Sequence, residues 1–194
     1  MSPRHKAFDP STVLNDAVDV FWTQGYEATS VQDLVDHMGI NRFSMYDTFG
    51  DKHELFMSAC HRYSEDREEQ RIEALEKAET GLDSIRVFFK SIEKSYADGQ
   101  ARRGCLMTNA VVEMAARDEE VRRWGAEFMK RLENAFAAGL TRAKSAGEIG
   151  AKSNPRELAQ FLVCLLQGIN VMGKAFPEGG HVHRLTRTAM AQLH

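Results

Sequence analysis

Residues 25–56, GYEATSVQDLVDHMGINRFSMYDTFGDKHELF, decide the fold. Val31, Leu34, Val35 and Met38 recur at i, i+3, i+4 and i+7, which puts one apolar stripe on a helix. Thr29 and Ser30 stand where an N-cap hydroxyl satisfies the first unpaired backbone N–H groups, and Gly39 stands where such a helix stops. Asn41 caps a second helix after a turn of only a few residues. Two helices joined by so short a glycine-containing turn make a helix-turn-helix, whose second helix can lie in a DNA major groove. The same spacing fits a three-helix piece of a larger bundle, so spacing alone leaves both readings open.

The second helix divides its side chains in a way that suits DNA. Ile40, Met45 and Phe49 can face a core, leaving Arg42, Phe43, Ser44 and Tyr46 outward. Arg can pair with guanine O6 and N7, Ser with either kind of base edge, and Phe with a thymine methyl. An exposed Phe and Tyr on one short helix have no purpose on a passive surface.

This stretch resembles the N-terminal DNA-binding domain of the tetracycline-repressor (TetR) family of transcriptional regulators. The similarity rests on Gly25-Tyr26-x-Ala28-Thr29-Ser30, the helix through Met38-Gly39-Ile40, then Met45-Tyr46-Asp47-Thr48-Phe49-Gly50-Asp51-Lys52 followed by Glu54-Leu55-Phe56. It covers roughly residues 10–56; beyond them the likeness is one of architecture. The resemblance implies that Lys52, at the start of the next helix, reaches a DNA phosphate. The expected DNA-contacting set is Thr29, Ser30, Asn41, Arg42, Phe43, Ser44, Tyr46 and Lys52.

Charge points the other way. The chain carries −3 overall. Within residues 1–60, Arg4, Lys6, Arg42 and Lys52 face nine carboxylates, for a net −5. That is the wrong sign for binding phosphates by bulk charge. Helix N-termini and hydroxyls can contact phosphates without net positive charge, and the four cations sit on an N-terminal arm, the second helix and the start of the next. The arm, residues 1–8, reads first as a solubilising end and second as a minor-groove probe through Arg4 and Lys6.

With 194 residues, 43% hydrophobic and 27% charged, the chain can bury a substantial core. No apolar run approaches the roughly 20 residues that span a bilayer, and the N-terminus lacks a signal-peptide core, so the expected location is the cytoplasm, with no membrane partner. Three widely spaced cysteines, Cys60, Cys105 and Cys164, argue for thiols rather than a disulfide framework.

The rest of the chain reads as helices. Asp9 and Pro10 open the first, with Leu14, Ala17, Val18 and Phe21 as its buried stripe, Trp22 beside it and Gly25 at its end. Asp51 and Glu54 have capping-box spacing and start a helix over 51–78, which has Leu55, Phe56, Ala59, Cys60 and Tyr63 inward and then a charge run that reads as a solvated face. A fifth helix carries Leu82 to Tyr96. A sixth, about 104–117, is apolar on most sides and reads as buried on several faces. A seventh runs from Asp118 to about Gly147. Asn154-Pro155-Arg156-Glu157 opens an eighth that Pro177 stops, and a ninth spans roughly 180–193. The expected fold is all-α, with about nine helices: a helix-turn-helix domain over 1–50 and a helical effector-binding and dimerisation domain over 51–194, joined by helix 51–78. The resemblance implies a homodimer through the two C-terminal helices, about 154–193, acting on a palindromic double-stranded operator. Gly168 and Gly173 would allow close helix approach.

For a small-molecule effector, Phe88, Ile92, Tyr96, Cys105, Met107, Trp124, Phe128 and Met129 are the expected lining, pointing to an apolar or aromatic ligand, although such stripes also make ordinary core. Cys105 follows Arg102-Arg103-Gly104 at a helix start, where positive charge stabilises thiolate. It is thus either an electrophile or oxidant sensor, as in some members of the family, or a small buried residue. Cys60 and Cys164 read as structural. His181-x-His183 cannot face together on a helix, and no phosphate loop, nucleophile elbow or metalloprotease motif occurs, so no metal, cofactor or enzymatic activity is expected. The reading is a one-component DNA-binding regulator, a repressor released by an effector. The alternative is a helical ligand-binding or scaffold protein that does not read DNA.

Overall fold

The structure is a computed structural model that describes residues 8–99, 102–176 and 180–193. The arm with Arg4 and Lys6 and the expected stop at Pro177 lie outside the described residues. Every regular element among the described residues is helical.

Helix α1 (Pro10–Gln24) is capped by the Asp9 carboxylate, which accepts from the Ser11 and Thr12 amides, and ends at Gly25 with φ 84°. Its buried residues are Val13, Ala17, Val20, Phe21 and Trp22, with Leu14 and Val18 only half-buried. The expected stripe is rotated by about one residue, because α1 packs on three neighbours rather than one. Helix α2 (Val31–Met38) buries Leu34, Val35 and Met38, and a left-handed Gly39 turns the chain into α3 (Arg42–Phe49). Helix α4 (Lys52–Tyr63) follows its Asp51–Glu54 capping box as read.

The rod expected over 51–78 is interrupted. A π-helical segment (Ser64–Glu69) separates α4 from α5 (Gln70–Lys77). Within the supposedly solvated charge run, Glu68 is only 6% exposed. The wider turn of a π segment swings that carboxylate inward, where Arg71 meets it at 3.0 Å.

Beyond it come α6 (Leu82–Ala97), α7 (Leu106–Met114), α8 (Glu119–Ser145), α9 (Pro155–Ala175) and α10 (Gly180–Ala191). Helix α7 is shorter than read and not buried all round: Val112 is exposed and Val111 half-buried. Two apolar clusters hold the molecule. One joins α1–α4 to α7 and to Val121 and Trp124 of α8; the other joins α5, α6, α8, α9 and α10.

Contrary to expectation, α9 is long and apolar enough to cross a bilayer by length and composition, with mean hydropathy 1.3. Only 39% of that window is buried within the protomer. Leu162, Leu166 and Ile169 face inward, while Phe161, Val171 and Met172 face out. Helix α9 therefore has two apolar faces and uses one. Gly173 is not part of the outer one: a Cβ there would collide with the Tyr96 ring, so its smallness serves contact within the protomer.

Candidate nucleic-acid interface

Each helix of the helix-turn-helix is fixed at its N-terminus by its own side chain. Ser30 Oγ accepts from the Asp33 amide at 3.1 Å while Asp33 accepts from the Ser30 amide at 2.8 Å. Asn41 Oδ1 accepts from the Ser44 amide at 2.8 Å. Each such cap is worth about 1 kcal/mol, enough to set where short eight-residue helices begin. Of α3, only Met45 is buried, with Ile40 and Phe49 half-buried against the core. Arg42 is exposed, Phe43 is 75% and Tyr46 45% exposed, and Ser44 is half-buried between them.

Thr29 departs from the expected set. It is 1% exposed, and its hydroxyl donates to the Gly25 carbonyl oxygen at 2.6 Å. Of two adjacent hydroxyls only one can cap α2; Ser30 does so, and Thr29 closes the preceding turn. Lys52 is half-buried, its ammonium 4.3 Å from the centre of the Tyr26 ring. That cation–π contact holds the lysine at the first turn of α4. Tyr26, tilted on Phe56 at 4.9 Å, is a supporting residue that sequence reasoning missed, although the Gly-Tyr pair was its signal.

The acidic balance has a local account. Asp9, Asp33, Asp51 and Glu54 are spent on helix N-termini, where backbone amides oppose their charge. Asp19 pairs with Arg103 at 2.9 Å and Glu27 with Arg117 at 3.0 Å, both cations from outside residues 1–60.

Of the expected effector residues, Ile92, Tyr96, Cys105, Met107 and Phe128 line one cavity of about 40 Å³ between the π segment, α6, α7, α8 and α9. Phe88 lines a separate groove of about 310 Å³ beside α5. Trp124 is buried in the first cluster, and neither it nor the half-buried Met129 lines the cavity. The walls are more polar than expected. Glu68, Arg71, Thr108, Gln167 and Asn170 join them, with Thr108 donating to Gln167 at 2.7 Å and Asn170 to Thr108 at 3.1 Å. The polar residues arrive from helices far apart in sequence, so no local stripe announces them.

Two family profiles cover most of the chain. Residues 13–59 match bacterial regulatory proteins of the tetR family, and residues 81–189 match the tetracyclin repressor-like C-terminal domain. The chain belongs to the TetR family. It is 39% identical over 160 residues to the HTH-type transcriptional regulator YezE of Bacillus subtilis, covering 82% of each chain. It is 29% identical over 192 residues to the HTH-type transcriptional repressor ComR of Escherichia coli, covering 98% of this chain and 90% of that one. Among solved structures, the TetR-family regulator CifR, a cysteine mutant complexed with 26-bp double-strand operator DNA, superposes with a TM-score of 0.87 at 26% identity. That match covers 98% of this chain and all of CifR.

In this TetR-family regulator the surroundings of Cys105 favour the buried-residue reading over an activated thiolate. Burial pushes the thiol upward, and the Glu68 carboxylate beside it adds to the effect. The arginine expected to stabilise a thiolate is spent elsewhere: Arg103 lies 3.9 Å from the centre of the Trp22 ring and pairs with Asp19. Cys60 is buried and shifted the same way, whereas Cys164, read as structural, is exposed on α9. In native protein at neutral pH, iodoacetamide should leave Cys60 and Cys105 unmodified over the time in which the denatured chain reacts at all three thiols, as read by mass spectrometry of digests. Rapid carboxamidomethylation of Cys105 would overturn the burial argument.

Proposed function

We propose that this TetR-family regulator is a homodimeric repressor that reads a palindromic operator through α3 and releases it when a polar small molecule enters the cavity beside Glu68. The observation that carries the DNA assignment is the outward pair Phe43 and Tyr46 next to Arg42 on a helix otherwise anchored by Met45. Arg42, Phe43, Ser44 and Tyr46 face base edges. Lys52 and the capped starts of α2 and α3, at Ser30 and Asn41, meet phosphates. We divide the chain at 50/51, with residues 51–78, that is α4, the π segment and α5, as the connecting rod. Supporting that connecting role, α4 contributes Leu55, Phe56 and Tyr63 to the first cluster, while α5 contributes Ile72 and Leu75 to the second. The protein acts by binding, not catalysis, and works in the cytoplasm.

The cavity supports the effector class. Its volume of about 40 Å³ has room for only a few water molecules, so a ligand larger than that must expand it. A wholly apolar ligand would leave the side chains of Glu68, Thr108, Gln167 and Asn170 unpaired on doing so. A ligand with its own donors and acceptors would replace the bonds it breaks. Binding the expanded conformer better than the closed one shifts the population away from the operator-competent spacing.

Selection from a random duplex pool tests the DNA assignment: a recovered palindrome is expected, and no enrichment from folded dimer would favour the scaffold reading. With that duplex, Arg42→Ala should cost about 1–3 kcal/mol and relax preference at one base position. Lys52→Ala should weaken all sequences alike and lower the salt slope by about 1. Equal effects on sequence preference from both changes would contradict the division of roles.

A further inference from the structure

We propose that Glu113 is the positioning residue that fixes the DNA-reading helices to the sensor core, by clamping the main chain between α1 and α2. Its carboxylate accepts the Tyr26 amide through Oε2 at 3.0 Å and the Glu27 amide through Oε1 at 2.9 Å. Two consecutive backbone N–H groups thus converge on one carboxylate across 86–87 residues of sequence. The approach needs glycine at 25: a Cβ there would lie 2.8 Å from Glu113 Oε2, in a backbone that already has φ +84°.

The geometry gives the clamp more weight than its neighbours. Residues 103–118 tie the first four helices to the rest at several points. Trp22 Nε1–H donates to the Gly104 carbonyl oxygen, Arg103 pairs with Asp19, Arg117 with Glu27 and, on α4, His53 with Asp118, while Arg67 of the π segment lies 4.8 Å from the Trp22 ring centre. The Arg117 pair is a solvent-exposed side-chain contact, which holds orientation weakly, and Arg103 grips α1, through Asp19, Thr23 and the Trp22 ring, rather than the turn that leads into α2. Glu113 instead grips backbone with charge-assisted bonds, three residues ahead of the Ser30 cap that starts α2. A rod alone is a hinge; a second rigid attachment removes its freedom to turn.

Helix α7 also touches the cavity. Met107 and Thr108 line it near one end, and Glu113 clamps near the other, along a helix only about 13 Å long. A displacement of Thr108 by an occupant is therefore delivered to Tyr26 and Glu27 without passing through the π segment. The clamp sets the angle of α2 and α3 in each protomer, and so the separation of the two α3 helices in the dimer.

The test reads that separation directly. In a Cys164→Ser background, a spin label at Asp47→Cys on α3 gives one distance between protomers by pulsed electron resonance. Glu113→Ala should broaden that distribution at least twofold and speed hydrogen exchange at Tyr26 and Glu27, while the melting midpoint of the sensor core stays put. If the operator-competent orientation falls to a tenth of the population, affinity for the selected duplex falls about tenfold. Glu113→Gln, which keeps one acceptor oxygen, should lie between, and Arg117→Ala should leave the distribution narrow. An unchanged distribution in Glu113→Ala, or equal broadening in Arg117→Ala, would overturn the proposal. The distance and exchange arms require no DNA, so their failure is distinct from failure of the operator reading.

Discussion

Gly168→Arg is expected to turn the dimer into monomers and to weaken binding to the selected palindrome by at least about a hundredfold. A glycine in the middle of a long helix works against the helix. Gly168 sits mid-way along α9, where glycine costs about 1 kcal/mol relative to alanine. Among the described residues no atom within 4 Å would meet a Cβ placed there, so none of them requires the small residue. It lies on the outward stripe with Phe161, Cys164, Val171 and Met172, of which Val171 is 53% exposed. An apolar helix face centred on a glycine suits close approach of the same helix from a second copy, which a two-fold axis supplies. Arginine would improve the helix propensity of α9 while placing a charge in that contact, so loss of association would not reflect loss of fold.

Sedimentation at micromolar concentration reads the dimer, and the selected duplex reads the affinity. Two α3 helices held at fixed spacing bind as one bivalent unit; separated, each binds alone and the avidity disappears. Cys164 should become open to alkylation in the monomer, since it shares the stripe. A Gly168→Arg protein that remains dimeric would place the interface elsewhere.

How much of this was legible depended on how local the signal was. The caps at Asp9, Ser30, Asn41, Asp51, Asp118 and Asn154 all stand where the sequence placed them, because a cap is decided within three residues. The outward set on α3 was equally readable from eight residues. Glu68 was not, since the eight polar residues in a row from Ser64 to Arg71 look solvated until Tyr63, Arg71 and Cys105 are seen around one carboxylate. Cys105 misled for the same reason: Arg102 and Arg103 are neighbours in sequence, but the Arg103 guanidinium faces Trp22. Glu113 gave no signal at all, because its partners are amides more than eighty residues away. Local chemistry thus revealed the capped, outward face of α3, while the polar cavity beside Glu68 and the Glu113 contacts arise from tertiary packing.

The largest expected loss of stability is at Phe136, where replacement by alanine should lower the free energy of unfolding by about 3–5 kcal/mol. Phe136 is fully buried in α8 and completes a trio with Phe88 and Phe89 of α6. Its ring meets Phe88 edge-on at 5.0 Å and stacks on Phe89 at 5.8 Å, while Phe88 and Phe89 are themselves edge-on at 5.6 Å. Truncation removes the transfer energy of the ring and leaves a hole that two rigid aromatic neighbours cannot collapse to fill. Against a typical domain stability of about 5–15 kcal/mol, that is about a fifth or more of the whole. Guanidinium unfolding at one fixed protein concentration reads the effect, because association adds to the apparent stability of a dimer. Phe136→Leu, which keeps most of the volume, should cost no more than about half as much. An alanine variant within about 1 kcal/mol of the parent would mean that the second cluster is not the source of the sensor domain's stability. The trio also sits against α5, through Ile72 and Leu75, so its loss should loosen the distal half of the connecting rod before the caps of α2 and α3 give way. Hydrogen exchange on the same variant should accordingly rise first in residues 70–96 and 132–143, with residues 31–49 unchanged at low denaturant.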